Sequence, residues 1–212
     1  MKKLLLILLI CSMSTGLLTG CYNSDENDST NTVSPTPSSP EAVKNSSENE
    51  YATDVNKNAA TQLGDFKAQD VNGKEITNDI FSDYDLTLVN LFATFCSPCI
   101  EEMPYLNAID KEMADKKVNV IGIVLDVNED GKIDDAKFDK LKKIIESTKA
   151  EYDILLPDEV LRQGRLKGVN TVPESFFVDK EGNIVGETYS GSHSKDEWIK
   201  IIENELAKLN KQ

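Results

Sequence analysis

The feature that most constrains the fold is a pair of cysteines that closely follows an apolar run. Residues 86–93 read Leu-Thr-Leu-Val-Asn-Leu-Phe-Ala, and Cys96 and Cys99 come three and six residues after them. Such a run is typical of a strand covered on both faces. A thiol in the first turn of a following helix meets unpaired backbone N–H groups and the helix dipole, which favour the thiolate. The pattern predicts a redox pair at a strand-to-helix junction.

The cysteine inventory supports redox exchange. Of the four cysteines, Cys11 lies in an N-terminal apolar segment and Cys21 at its end, so Cys96 and Cys99 have no partner for a larger disulfide framework. A zinc site would need two further ligands, but the region offers a single histidine, His193, and no second CxxC motif. A metal site completed by carboxylates and a buried structural pair remain the alternatives.

The N-terminus predicts export and lipidation. Lys2 and Lys3 precede a short apolar core, and Leu-Thr-Gly-Cys closes the segment at Cys21, as in a secretory signal peptide. These four residues resemble the bacterial lipoprotein box, in which the cysteine is lipidated and becomes the first residue after cleavage. We expect a signal peptide over residues 1–20 and lipid on Cys21. An ordinary signal peptide or an uncleaved anchor is the alternative.

Residues 21–59 have the composition of a tether. They are rich in Ser, Asn, Thr, Asp, Glu and Pro, with Ser-Pro-Thr-Pro-Ser-Ser-Pro at 34–40, and too few side chains are apolar to build a core. A flexible chain of this length spans about 35 Å on average. We expect it to hold a domain over residues 60–212 near the membrane and free to meet partners.

The size and charge of that region limit its partners. About 150 residues suit one domain with one core. The formal net charge is −14, and removal of Lys2 and Lys3 with the signal peptide makes it −16. This acidity argues against nucleic acid and against adhesion to anionic lipid through charge. We expect a monomer that acts on other proteins.

Strand and helix patterns alternate along the domain. Strand patterns cover 86–93, 118–125, 154–156, 175–179 and 184–189. The last two are joined by Lys-Glu-Gly-Asn, a hairpin signal. Helical patterns run from the cysteines to about residue 116 with an interruption at Pro104, around 138–145, in a turn at 160–161, and over 198–209. The expected class is α/β, a mixed sheet with helices on both sides.

On these motifs the chain resembles the thioredoxin superfamily, and most of all the membrane-anchored branch named for TlpA and ResA. The specific parts are Ala-Thr-Phe-Cys-Ser-Pro-Cys at 93–99, Glu-Glu-Met-Pro at 101–104 and Gly-Val-Asn-Thr-Val-Pro-Glu-Ser-Phe at 168–176. The resemblance covers residues 61–210. It implies a thioredoxin-like fold with an extra segment after the second core strand, and a thiol-disulfide oxidoreductase that needs no cofactor beyond its own disulfide.

The resemblance also assigns roles. Cys96 would be the attacking thiolate, and Cys99 the buried thiol that resolves the mixed disulfide. Pro173 would be a cis proline against the disulfide, and Val172 would present its backbone to a substrate strand. A trans proline at a strand start is the alternative. The remaining substrate-binding positions would be Phe95, Ser97 and Pro98.

Two positions concern protons. Asn90 stands six residues before Cys96, where thioredoxin itself has a buried acid. Glu102 falls one helical turn after Cys99 and matches an acid that the resemblance links to thiol ionisation. A partly buried carboxylate there would accept the Cys99 proton. The alternative is an exposed helix residue like its neighbour Glu101.

Phe95 departs from the family pattern, which usually has tryptophan before the first cysteine. Phenylalanine keeps an apolar lid beside the disulfide but lacks the indole N–H, which bears on partner choice and redox potential. The sole tryptophan, Trp198, is expected in the core of the domain. His193 is expected in a loop, without a catalytic partner.

Residues 126–134 match the first nine positions of an EF-hand loop, although they follow a predicted strand instead of a helix. Position 12, where a bidentate acid belongs, is Lys137, and Asp135 or Asp139 would have to substitute. A solvated acidic loop is the favoured interpretation, and a calcium site is the alternative. The ligands of that site would come from Asp126, Asn128, Asp130, Lys132 and Asp134.

Together these features predict a lipoprotein on the outer face of the cytoplasmic membrane that reduces disulfides in client proteins. That compartment oxidises thiols by default, so the resemblance implies an integral-membrane electron donor of the CcdA/DsbD kind. Apocytochrome c, a surface methionine sulfoxide reductase and proteins with scrambled disulfides are the candidate clients. An oxidase is the rival within the class.

Two other classes of protein share parts of this pattern. A calcium-stabilised surface binding module would use the CxxC pair as a static disulfide. A peroxiredoxin fits less well, because Thr94 lies two residues before Cys96 and that family needs three. Neither class accounts for the Val172-Pro173 pair.

Overall fold

The computed structural model describes residues 61–210, so the predicted signal peptide, Cys21 and the tether lie outside the described residues. Each predicted strand is present to within one residue at either end, and the predicted helices are present as well. In chain order the elements are β1 (Lys67–Asp70), β2 (Glu75–Thr77), β3 (Leu86–Phe92), α1 (Ser97–Met113), β4 (Val118–Val124), α2 (Asp135–Thr148), β5 (Asp153–Leu156), α3 (Glu159–Gln163), β6 (Glu174–Val178), β7 (Ile184–Ser190) and α4 (Lys195–Leu209).

The strands form one mixed sheet in the order β2-β1-β5-β4-β3-β6-β7. The central strands β3, β4 and β5 are parallel, and the outer pairings are antiparallel. Every residue of β3 and β4 is buried, as their nearly continuous apolar sequences predict. The fold is the thioredoxin-like α/β fold expected from the sequence.

Helices cover both faces of the sheet. Alternate residues of a strand face opposite sides: Leu86, Leu88 and Phe92 pack in the cluster that includes residues of α1, α2 and α4, whereas Val89 and Leu91 pack in a second cluster with Leu161 of α3 and Phe81 of a 3-10 helix. By the same alternation Asn90 faces α1. One polar residue of the central strand is thereby placed beneath the helix that carries the cysteines.

Two elements differ from the sequence prediction. The hairpin of β1 and β2 was not predicted, because these strands have only four and three residues and exposed polar positions alternate with buried ones. Helix α1 continues through Pro104, where an interruption was expected. A proline removes one backbone hydrogen bond, but the nearby Met103 and Leu106 are fully buried in the core cluster and hold the helix in place.

The acidic loop, α2 and β5 follow β4, at the position where the extra segment is predicted. Since β5 runs parallel to β4, the chain crosses over through α2. Within residues 61–210, no helix combines the length and apolarity needed to cross a membrane.

Candidate active site

The two cysteines form a disulfide at the start of α1. Their Cα atoms are 5.3 Å apart, within the usual range for a bridge. Cys96 is the N-cap residue of α1, and its sulfur accepts the Cys99 backbone N–H at 3.3 Å. Because this donor is one of the unpaired N–H groups of a helix start, the same contact would stabilise a thiolate on Cys96 after reduction.

The two sulfurs differ in access. Cys96 is 7% exposed and Cys99 is fully buried, while the intervening Ser97 and Pro98 are exposed. An incoming sulfur therefore reaches Cys96 first. The roles of attacking and resolving thiol, which the resemblance implies for Cys96 and Cys99, stay predictions, and this asymmetry is compatible with them.

A turn that comes 76 residues later in the chain lies against Cys96. The Val172–Pro173 peptide bond is cis, as predicted, and the Val172 carbonyl oxygen lies 3.7 Å from the Cys96 sulfur. In the disulfide this sulfur has no proton to donate, so the contact is one of proximity. The backbone at Val172 is thus in place beside the sulfur that a substrate would reach.

Glu102 is more deeply buried than predicted, at 1% exposed. Its Oε1 accepts two short hydrogen bonds, from the His193 backbone N–H and from Trp198 Nε1, both at 2.7 Å. Its Oε2 accepts only the longer bond from Asn90 Nδ2, at 3.3 Å. Burial raises the pKa of Glu102 from 4.5 to about 7, because desolvation outweighs the three hydrogen bonds, which lower it.

This geometry leaves one oxygen of Glu102 suited to carry a proton. Oε1 is occupied by two N–H donors, so a proton is better placed on Oε2. A carboxyl group with a pKa of about 7, one turn along α1 from Cys99, is of the kind that exchanges protons under physiological conditions.

Trp198 and His193 contribute to the site in a way that the sequence did not reveal. Trp198 is fully buried in the core, as predicted, but its N–H also binds Glu102. His193 lies before α4, as predicted for a loop residue, and reaches Glu102 through its backbone. A buried indole N–H requires a partner, which was the only available signal. A backbone donor has no sequence signature.

Asn90 joins the carboxylate to the neighbouring strand. Its Nδ2 donates to Glu102 and, at 3.0 Å, to the hydroxyl of Ser175 on β6. Both residues are buried and face each other across the β3–β6 pairing. An amide at this position adds no second negative charge beside Glu102.

Phe95 is 70% exposed, so it projects into solvent more than the predicted lid would. It borders a groove of about 460 Å³. The ends of β3 and β4 form one side of this groove, and residues 162–172 form much of the other. The apolar residues that line the groove include Ala93, Leu125, Leu166, Val169 and Val172.

The side chains of the EF-hand-like loop make hydrogen bonds within the protein. Asp126 accepts the backbone N–H and the hydroxyl of Thr94, at 2.9 and 2.7 Å. Asn128 donates to the Pro157 carbonyl at 2.8 Å. Asp130 accepts the Lys132 backbone N–H at 3.1 Å, and Asp134 caps α2 by accepting the Lys137 N–H at 3.0 Å.

The ammonium group of Lys137 lies within this acidic loop. It binds Glu129 at 3.0 Å, and this hydrogen bond, with the charges of Asp126 and Asp134 further away, raises the pKa of Lys137. No group of three or more His, Cys, Asp or Glu side chains among residues 61–210 is arranged to hold a metal ion. The calcium site stays a prediction.

Comparisons with known proteins identify relatives for most of this region. The model of the AhpC/TSA family matches residues 59–186. Thiol:disulfide interchange protein DsbE of Haemophilus influenzae is 30% identical over 139 residues, covering 66% of this chain and 69% of that protein. Thiol-disulfide oxidoreductase ResA of Bacillus thuringiensis subsp. konkukian is 29% identical over 143 residues, covering 65% and 74%.

A solved structure gives the same result for the fold. The thioredoxin-family thiol:disulfide interchange protein from Chlorobium tepidum TLS superposes with a TM-score of 0.55 and 25% identity, covering 70% of this chain and 99% of that one. The alignment therefore extends over almost the whole of the other protein.

Proposed function

This chain belongs to the AhpC/TSA family and is a thioredoxin-like thiol-disulfide oxidoreductase, and from that premise we propose that it is a membrane-tethered, extracytoplasmic reductant of disulfides in client proteins. The observation that carries the proposal is the asymmetry of the pair. Cys96 is accessible beside the Val172–Pro173 turn, and Cys99 is buried one turn from Glu102.

In the proposed reaction the Cys96 thiolate attacks one sulfur of the client disulfide. A bond forms between Cys96 and that sulfur, and the other client sulfur leaves as a thiolate that takes up a proton. The Cys99 thiol then gives its proton to Glu102 and attacks Cys96, releasing the second client sulfur. Two electrons pass to the client, and Cys96–Cys99 is left as the disulfide seen here.

The client side would be held by the surface around Cys96. Phe95, Ser97 and Pro98 are exposed next to it, and the backbone of Val172 would pair with an extended client segment. Apocytochrome c, a methionine sulfoxide reductase or a misoxidised surface protein would supply such a segment.

The proposed location of the domain and the proposed direction of electron flow rest on the N-terminal sequence. A signal peptide over 1–20, a lipidated Cys21 and a tether to residue 59 would place the domain of residues 60–212 outside the membrane. Since that compartment favours disulfides, a reductant there needs a CcdA/DsbD-like donor to supply electrons. An oxidase would need no such electron donor.

A trapping experiment tests the catalytic part. The full-length Cys99→Ser protein should accumulate in cells as mixed disulfides through Cys96, because the resolving thiol is gone, and mass spectrometry then identifies the clients. The Cys96→Ser/Cys99→Ser double variant is the matched control and should trap nothing. Equal recovery of partners from both variants contradicts the proposal.

Two measurements test direction and location. A reduction potential near −270 mV supports a reductant, whereas one near −120 mV indicates an oxidase. Mass spectrometry of the protein isolated from the membrane should find a lipid-modified Cys21 as its first residue, and an unmodified Cys21 would exclude the lipid anchor.

A further inference from the structure

A buried ion pair lies at the base of the loop that carries the Val172–Pro173 turn. Arg165 Nη2 and Glu174 Oε1 are 2.7 Å apart, and their side chains are only 1% and 5% exposed. Arg165 comes two residues after α3 and Glu174 is the first residue of β6. The two residues therefore join the beginning and the end of the intervening loop, residues 166–173.

The loop lacks regular structure, and its contacts with the rest of the domain include a hydrogen bond from the Gly191 N–H to the Pro173 carbonyl at 2.9 Å and the packing of Leu166 in the core. No residue from 164 to 173 belongs to a helix or a strand. Its internal hydrogen bonds include only short-range contacts such as Val169 N–H to the Leu166 carbonyl at 3.2 Å. It nevertheless contributes much of one wall of the groove and places the Val172 carbonyl oxygen 3.7 Å from Cys96.

The ion pair attaches the loop to the centre of the sheet. Glu174 pairs through its backbone with Leu91 of β3 and Ser190 of β7. Phe176, two residues along the strand, faces the same side, and its ring lies 4.2 Å from the Arg165 guanidinium carbon. Arg165 is thus fixed by a carboxylate and an aromatic ring that both belong to β6.

Stability alone does not account for this arrangement. Desolvation of two charges roughly offsets their attraction, so apolar pairs of similar size often serve as well. Arg165 also has two nitrogens, Nε and Nη1, that reach no acceptor among the described residues. What the pair supplies is a fixed separation and orientation of the two ends of the loop.

We propose that Arg165 and Glu174 are positioning residues that clasp loop 166–173 and thereby hold the Val172 backbone in register with Cys96 for a client polypeptide. The inference rests on the proposed substrate-facing role of Val172–Pro173. A protein disulfide arrives with a flanking segment that must lie along that backbone. A small disulfide requires only the Cys96 sulfur.

The test compares two substrates of the reduced, full-length protein in single-turnover reactions: insulin, and 2-hydroxyethyl disulfide. The variant is Arg165→Met/Glu174→Leu, which removes both charges and retains apolar volume. We expect its rate with insulin to fall about tenfold while its rate with 2-hydroxyethyl disulfide stays within about twofold, because loss of register affects only the reaction that needs positioning.

The control carries the same substitutions at an exposed pair, Lys116 and Glu203, which are 2.7 Å apart and about half exposed. Lys116→Met/Glu203→Leu should leave both rates unchanged. Urea unfolding of each variant shows whether the double variant is folded. A purely structural role would lower both rates together with the folded fraction, and leave the ratio of the two rates as in wild type.

If the double variant does not fold, Glu174→Asp takes its place, since it keeps both charges but draws the carboxylate back from Arg165. The ratio of the insulin rate to the 2-hydroxyethyl disulfide rate should then fall, as expected for the double variant. An unchanged ratio in whichever variant folds overturns the inference. The proposed function fails separately, if wild-type protein reduces insulin no faster than the Cys96→Ser variant does.

Discussion

Two buried acids lie near the disulfide, on opposite faces of the sheet, and their partners differ. Glu102 is 1% exposed and is held by neutral N–H donors from Trp198, His193 and Asn90. Glu174 is 4% exposed and lies against the guanidinium of Arg165. Ser175, the residue after Glu174, faces the other side of β6 and binds Asn90.

The difference separates two uses of a buried carboxyl group. Neutral donors only partly repay the cost of burying a charge, so Glu102 has a raised pKa and remains able to exchange a proton. A guanidinium is always charged and its planar group fixes the geometry of its partner. The first arrangement suits proton transfer and the second suits positioning.

The largest effect is expected when one half of the ion pair is removed. Arg165→Met leaves the Glu174 carboxylate buried without its cation, which should cost about 3–5 kcal/mol of unfolding free energy. Urea unfolding measures this. The corresponding change at the exposed pair, Lys116→Met, should cost less than about 1 kcal/mol.

A loss at Arg165 no greater than that at Lys116 would show that the loop base is open to water. Glu174 would then not be a buried carboxylate that depends on its cation, and the contrast with Glu102 would be lost.

The next effect concerns the pH dependence of stability. At a pH below 4.5 the Glu102 carboxyl is protonated in both the folded and the unfolded protein. As the pH rises towards about 7, this carboxyl ionises in the unfolded chain but stays protonated in the folded protein. The raised pKa therefore contributes stability at low pH that is lost as the pH rises, by roughly 3 kcal/mol in total. Urea unfolding from below pH 4.5 to above pH 7 should follow this fall.

Glu102→Gln should remove this part of the pH dependence, since an amide does not ionise. Glu101→Gln, a substitution of the exposed neighbour on the same helix, is the matched control and should keep it. If both variants retain the wild-type pH dependence, Glu102 is not the group responsible.

A somewhat smaller effect is expected on the rate of exchange. Glu102→Gln should slow resolution of the mixed disulfide about a hundredfold, equivalent to roughly 2.7 kcal/mol, because Cys99 loses its proton acceptor. In the wild-type protein this rate should rise as the pH passes through about 7, where the carboxylate forms. Single-turnover reduction of insulin across this pH range measures both the loss of rate in Glu102→Gln and the pH dependence in the wild-type protein.

Glu101→Gln again provides the control, and its profile should match that of wild type. A Glu102→Gln protein with an unchanged inflection near neutrality would assign the proton to another group. Glu102 would then be a structural acid, like Glu174.

The sequence predicted the parts of this molecule that depend on local pattern. The apolar runs of β3 and β4 and the start of α1 at Cys96 follow from patterns that are contiguous in the chain, and the cis peptide at Pro173 was implied by the resemblance. The hairpin of β1 and β2 was missed because short edge strands with exposed polar residues have little periodicity.

The surroundings of the two acids could not be predicted in this way. His193 and Trp198 meet Glu102 across 91 and 96 residues, and one of the two acts through its backbone. Arg165 and Glu174 are nine residues apart, but the spacing of opposite charges does not distinguish a buried pair from two solvated side chains. Burial is decided by the packing of α3 and β6, which is a property of the whole fold.

The acidic loop of residues 126–134 is a third setting for carboxylates, and the smallest effect is expected there. The Lys137 ammonium already lies among these acids, so calorimetric titration of the full-length protein with millimolar Ca²⁺ should give no heat and leave the melting temperature unchanged. Lys137→Glu removes this cation and supplies the missing position-12 acid, and should allow binding with a Kd of about 10⁻⁴–10⁻³ M. Lys137→Gln removes the cation alone and should not. Binding of Ca²⁺ by the wild-type protein would instead mean that the Lys137 ammonium moves away from Glu129. The ion pair in this loop would then be easily broken, in contrast to the buried pair of Arg165 and Glu174.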